Sequence, residues 1–469
     1  MIKKLLFVSS LILIYCLKSY SILPNSNKIW YFGNHAGIDF NNPTPIALTD
    51  GVTNTYDNTA TIADDQGTLQ FYSDGQTVWN RNHQVMLNGT GLFGDVTGGQ
   101  PALFIKQPDG NEGNSKFYYI FSVPEYGSGG LYYSIVDISL DSGRGEIVSK
   151  NNLLYTSTCE KLAAIYNSST NSYWIISHEF NNANFKCYQL DENGLNTSAV
   201  ISTVGASNSG GTYGSLHGSV GQLVISEDGT HIANAMNYSS QIQLFDFDMI
   251  SGTITNPITI TNRYSAWGVA FSPDGNFLYT TNLSTAGVYQ YDLTNYNSTA
   301  INASLLTVGT ITNPNSSYKA CYVKLGPDGK VYIAKYGSNY LATINNPDAS
   351  GSLCNFVDNG FNLGSGICHA GLVTTVVLPN SIIGVAELKK VNSIAYPNPS
   401  NCHFSIKSDF KLSNSVNVKV MNITGEQVPV PYIVDKETIR LNMENLSKGI
   451  YFYNFQDDNK TTSGKLILQ

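Results

Sequence analysis

Apolar and polar residues alternate in short runs along almost the whole chain, and clusters of Gly, Asn, Asp and Ser separate the runs. "IQLFDFD" (242–248), "VYQYDL" (288–293) and "CYQLD" (187–191) are typical. A period of two puts alternate side chains on opposite faces, as in a strand buried on one side. No stretch sustains the 3.6-residue period of an amphipathic helix, so the pattern predicts a nearly all-β protein.

One unit recurs: an apolar strand, a tight turn carrying Asp-Gly, a second strand, then an alternating strand that ends in Asp. The clearest copy is "YSAWGVAFSPDGNFLYTTNLSTAGVYQYDL" (264–293), with others at "LHGSVGQLVISEDGTHIANAMN" (216–237) and "YKACYVKLGPDGKVYIAKYG" (318–337). The turn glycines Gly229, Gly275 and Gly329 lie 46 and 54 residues apart. That spacing holds four short strands, the size of a propeller blade. The Asp-Gly pairs are expected in two-residue hairpin loops, where positive φ is needed. Weaker copies end at Gly110 and surround Gly67, and in a further copy (160–180) Ser and Asn residues replace the turn glycine. Six units fill residues 54–358. "KIWYFGNHAGIDF" (28–40) and "HAGLVTTVVLPNSIIG" (369–384) remain, and pairing them would close a ring without exposed sheet edges. The expectation is a seven-bladed β-propeller over residues 22–385, its N- and C-terminal strands sharing the closing blade. Eight blades is the alternative count.

Both ends of the chain read differently. Residues 1–21 combine Lys3 and Lys4 with an apolar run from Leu5 to Leu17 and a small-residue end, the pattern of a secretory signal peptide. Past 385, residues 386–394 read as a linker. "YPNPSNCHFSI", "VNVKVMNITGEQV" and "ETIRLNMENLSKGIYFYNF" then suggest a small immunoglobulin-like β-sandwich over residues 395–469. Pro397 and Pro399 cannot sit in a central strand, so they mark its border. Charge changes at the same place: residues 22–385 carry 13 basic against 26 acidic side chains, and residues 386–469 carry 10 against 8. The acidic body argues against nucleic acid, which requires a basic footprint. No later segment is apolar enough to be a transmembrane helix. Six cysteines follow the signal peptide; Cys159 with Cys187 and Cys354 with Cys368 are open as disulfide pairs.

The C-terminal segment resembles the type A sorting domain of the type IX secretion system of Bacteroidota. The resemblance rests on Tyr396-Pro397-Asn398-Pro399, Asn422-Ile423-Thr424-Gly425, Leu446-Ser447-Lys448-Gly449-Ile450-Tyr451 and Gly464-Lys465-Leu466, in that order. It implies export across the outer membrane through that machinery as partner, to the cell surface or beyond. The body, at "WYFGNHAGIDFN", "LQFYSDGQTVWNRNHQVMLNG" and "EKLAAIYNSSTNSYWIISHE", is similar to propeller modules of Bacteroidota surface proteins associated with gliding or adhesion. "FLYTTNLSTAGVYQYDL" resembles one unit of the YVTN-type propellers, some of which are lactonases.

Propeller ligands gather where the innermost strands begin, because loops converge there. Aligning the repeats nominates Asp57, Gln100, Glu160, His217, Trp267, Lys319 and His369 as a ring at the tunnel mouth. Trp267 would stack on a sugar face while Asp57 and Glu160 hold hydroxyls. No Gly-x-Ser-x-Gly elbow, His-Glu-x-x-His helix, phosphate loop or zinc spacing occurs, so no metal or cofactor is expected. Two functions follow: a binding propeller for an extracellular glycan or protein, or a hydrolase or lactonase at the mouth. A structural part in a gliding or adhesion layer is a third.

Overall fold

The computed structural model describes residues 25–110, 115–127, 129–209, 219–239, 241–261, 266–282, 285–312, 321–379, 394–407, 412, 416–422, 427–457 and 460–469. The signal peptide, residues 386–393 of the linker, His217, Lys319 and Gly425 lie outside them. The chain divides into two compact units, 1–380 and 381–469.

The first unit is an all-β, seven-bladed propeller. Blade one is the sheet of Ile29–Phe32, Ala36–Asp39 and Ile46–Leu48. Blades two to seven begin with Thr59–Ala63, Ala102–Lys106, Thr158–Asn167, Leu223–Ile225, Ala266–Phe271 and Val323–Leu325, each followed by antiparallel neighbours. These first strands pack on one another around the axis. Thr158–Asn167 and Ala266–Phe271 are buried along their whole length. The interfaces between blades are apolar clusters, such as Ile165, Ile176, Phe185, Leu223 and Phe245 between blades four and five. Burying such side chains contributes roughly 1.5–3 kcal/mol each. Blades two and three also join at their outer rim, where Glu146 pairs in parallel with Leu87.

The Asp-Gly turns form, but with longer loops than the two-residue hairpins expected. Ser226 donates its N–H to the carbonyl of His231 (2.9 Å), closing a loop of four residues, and Ser272 does the same to Phe277 (2.8 Å). Gly229 and Gly275 take φ of +75° and +73°, which a residue without Cβ adopts freely. Ser226 and Ser272 each donate a hydroxyl hydrogen bond to the Asp two residues on, Asp228 (2.6 Å) and Asp274 (2.7 Å). The Ser-x-Asp-Gly signature is therefore a self-bonded turn.

The ring is closed by the C-terminal segment in an arrangement the repeat pattern did not contain. Asn34 and Ile367 exchange two backbone hydrogen bonds (2.8 and 2.9 Å), linking this segment to blade one. It then bonds to blades seven and two through Tyr322 N–H to Ala370 O (3.0 Å) and Ala370 N–H to Tyr56 O (2.8 Å). Val373–Thr374 next runs parallel to Thr59–Ala63, and Val377 pairs with Ala164 and Tyr166 of blade four. Val373, Thr374, Thr375 and Val377 thus line the central channel together with the first strands of blades four to seven. A Cβ on Gly371 would lie 2.1 Å from the carbonyl carbon of Asp57, so only glycine permits this passage.

All six described cysteines are free thiols, which corrects the two pairings left open above. Cys354 packs between blades six and seven while Cys368 belongs to the cluster at the closure, and Cys187 lies in the blade four–five interface. Burial pushes the Cys159 and Cys368 thiols up to about 12.

The second unit is the sandwich: one sheet of Ile394–Tyr396, His403–Lys407, Thr438–Asn442 and Tyr432–Asp435, another of Gln427–Val428, Asn417–Asn422, Gly449–Asp457 and Lys460–Leu468. Alternation places Phe404, Ile406, Leu441, Tyr453, Phe455 and Leu466 between the sheets.

Candidate functional site

Of the nominated residues, Asp57, Glu160 and Trp267 come together around Tyr322, less openly than on a rim of loops. Glu160 and Trp267 lie inside strands rather than before them, and with Gln100 they are more than nine-tenths buried. Glu160 Oε2 accepts the N–H of Gly99 (2.9 Å), and Oε1 accepts the hydroxyl of Ser219 (3.3 Å). A Cβ on Gly99 would sit 2.4 Å from the Tyr322 hydroxyl and 3.5 Å from Glu160 Oε2, so these groups crowd one point. Trp267 meets Tyr322 edge to face at 5.5 Å, with Val220 completing the cluster. Tyr322 Oη, Trp267 Nε1 and Asp57 Oδ1 are buried without a hydrogen-bond partner among the described residues. Unpaired polar groups of this kind are costly and gather at sites that bind or react. Burial first, then the Glu160 carboxylate, pushes the Asp57 carboxyl well above the usual range, although Asp57 keeps some exposure.

Gln100 turns inward instead of toward a ligand. Its Nε2 donates to the carbonyls of Leu162 (2.9 Å) and Leu223 (3.0 Å). Gln222, which the repeats did not nominate, does the same for the other side of the ring. It donates to Val323 O (2.8 Å) and accepts from Val269 N–H (3.0 Å) and Val323 N–H (3.2 Å). Inner strands splay apart and leave backbone groups unpaired; two glutamines fill these gaps. Lys161 was missed as well. It is fully buried and donates to Gly221 O (3.0 Å), Asn234 Oδ1 (2.7 Å) and the carbonyl of Ala235, and burial lowers its amine to about 8.

His369, on the closing segment, is half-buried. Its Nδ1 bonds to Thr55 O (2.7 Å), and its ring lies against both Tyr56 (5.3 Å) and Tyr336 (5.2 Å), whose own centroids are 6.3 Å apart, so the three rings form a triangular cluster. Tyr56 is 54% exposed and precedes Asp57 directly. The platform is built of chain-distant residues, and alternation cannot reveal it: Tyr56 stands outside any strand.

In the sandwich, residues of separate motifs meet. Asn398 Nδ2 donates to Lys465 O (2.6 Å), and Asn398 Oδ1 accepts the N–H of Ile467 (2.8 Å). Tyr396, Pro397 and Pro399 flank it, with both X-Pro bonds cis. Gly449 opens a central strand, and Tyr451 is buried with its hydroxyl on Ser447 O (2.6 Å). Lys465 is exposed.

Comparison with known proteins agrees with this division. Residues 394–469 match the family model "Secretion system C-terminal sorting domain". Residues 222–358 match "Lactonase, 7-bladed beta-propeller". No curated protein matches the chain. Among solved structures, a protein provisionally assigned as a 6-phosphogluconolactonase from Bacteroides fragilis is 13% identical with a TM-score of 0.40, covering 84% of this chain and 93% of its own. A similarly assigned protein from Bacteroides uniformis is 14% identical (TM-score 0.38; 82% and 94% covered). The Dos1 propeller is 12% identical (TM-score 0.43; 72% and 85% covered). The sorting domain identifies this chain as an exported protein, carried by the type IX secretion machinery across the outer membrane to the cell surface or the extracellular space. No described helix is long and apolar enough to cross a membrane.

Proposed function

We propose that the propeller is the working part of this exported protein and that its mouth binds an extracellular glycan. The observation that carries the reading is the ring cluster Tyr56–His369–Tyr336, which offers an exposed ring on the residue that precedes Asp57 in the chain. A sugar ring presents C–H faces to aromatic groups and hydroxyls to carboxyl groups, so this pairing suits it. Trp267, Glu160 and Tyr322 lie deeper and support the floor of the site. His217 and Lys319 remain candidates for the same rim, and a protein ligand is the alternative partner.

A glycan array probed with the mature chain beside a Tyr56→Ala variant tests this. A glycan bound by the parent and lost in the variant is the expected result; an array without any hit overturns the sugar reading. The lactonase match over residues 222–358 favours hydrolysis as the second reading. That reading requires turnover of a sugar lactone, abolished by Glu160→Gln.

A further inference from the structure

The channel has a second end, separated from the mouth by Gln100, Gln222 and residues 373–377. There the inner strands finish, and a cavity of about 300 Å³ opens among Asn25, Asn27, Lys28, Trp30, Glu227 and Lys324, with residues 375–378 as its back wall. Its volume is that of a small-molecule site. Its charged groups are loosely held: among the described residues no side-chain hydrogen bond and no ion pair within 4 Å engages Lys28, Lys324 or Glu227, although Lys324 and Glu227 feel each other's charge. Half-buried ammonium and carboxylate groups normally find partners, because desolvation without pairing is costly. Trp30 is fully buried, and its indole N–H has no partner among the described residues. Asn27 donates its amide to Val376 O (2.8 Å) and Asn25 donates to Asp65 O (2.7 Å), which fixes both side chains and leaves their oxygens as acceptors. Burial lowers the Lys324 amine to about 8, with Glu227 opposing the shift, so the amine still carries its charge at neutral pH.

We propose that this far-end cavity is a second binding site, for a monosaccharide-sized hydroxylated carboxylate such as a uronic acid. Two ammonium groups against one carboxylate leave one positive charge unmatched, inside a body that otherwise carries a large acidic excess. A single carboxylate balances that charge; a phosphate dianion would overshoot it. Glu227 and the two asparagine oxygens accept ligand hydroxyls, and the indole N–H adds a donor. The site stands apart from the mouth and does not depend on the glycan reading.

Calorimetry of the full mature chain with D-glucuronate and with D-glucose tests it. Glucuronate is expected to saturate one site, with glucose at least about 10-fold weaker, the worth of one charge-assisted hydrogen bond. Lys324→Met should bring glucuronate down to the glucose level, while Tyr56→Ala leaves it unchanged. Lys28→Met carries the same expectation as Lys324→Met and serves if the latter fails to fold. Absence of glucuronate binding, equal affinity for both sugars, or loss with Tyr56→Ala but not with the lysine variants would overturn the proposal.

Discussion

Gln100 and Leu223 are joined in both directions across the channel: Gln100 Nε2 donates to Leu223 O at 3.0 Å, and Leu223 N–H donates to Gln100 Oε1 at 2.9 Å. The side-chain amide stands in for a strand neighbour that blade five lacks. A third bond reaches Leu162, so one side chain ties blade three to blades four and five.

Removing this amide leaves two carbonyls and one N–H buried and unpaired. Gln100→Leu should therefore cost about 2–4 kcal/mol of stability, read as a lower midpoint in urea with an unchanged slope. Gln222→Leu should behave alike, since it spans blades six and seven by the same device. A Gln100→Leu protein as stable as the parent would contradict the staple.

The Asp57 carboxyl is raised by burial and by Glu160. An acid whose folded value exceeds its unfolded value stabilises at low pH, and that contribution is lost as pH rises through the folded value. Asp57→Asn should then stabilise the protein at pH 8 and have little effect at pH 4. Thermal melts at the two pH values check the sign. If the carboxyl also holds ligand, the variant gains stability while losing binding, as functional residues often do.

His178 titrates in the opposite sense. It is fully buried, bonded at Nδ1 to Glu179 O (2.7 Å) and set against Phe185, and burial lowers it to about 3. The unfolded chain takes up this proton near 6.5 and the folded chain does not, so stability is full above 6.5 and falls as pH drops toward 3. The contribution is on the order of 4 kcal/mol. His178→Gln should flatten the acid side of a stability–pH curve, even if it lowers the plateau.

Asn398 links the opening motif of the sorting domain to its last strand through Lys465 and Ile467. Asn398→Ala should loosen the strand end and lower the amount of protein reaching the outside, whereas deleting residues 394–469 should retain all of it in the periplasm. Fractionated cells blotted for the propeller give both values.

Much of this was legible in the residues themselves. Period-two alternation fixes which side chains face inward on each strand, and that is a local property. The spacing of Gly229, Gly275 and Gly329 measured the blade, because each turn needs its glycine at positive φ. The sorting domain could be read because its motifs are contiguous. Other features are set by groups that meet only in space. Residues 373–377 fill the channel because blade two and blade four leave backbone bonds open toward the axis. The sequence does not announce which strands will do so. Gln222, Lys161 and the cluster Tyr56–His369–Tyr336 belong to the same class, since each satisfies or shields a partner dozens to hundreds of residues away. Local pattern decides strand, turn and face. The long-range pairing of unsatisfied polar groups, visible only after the ring closes, decides which side chains become structure and which remain free to bind.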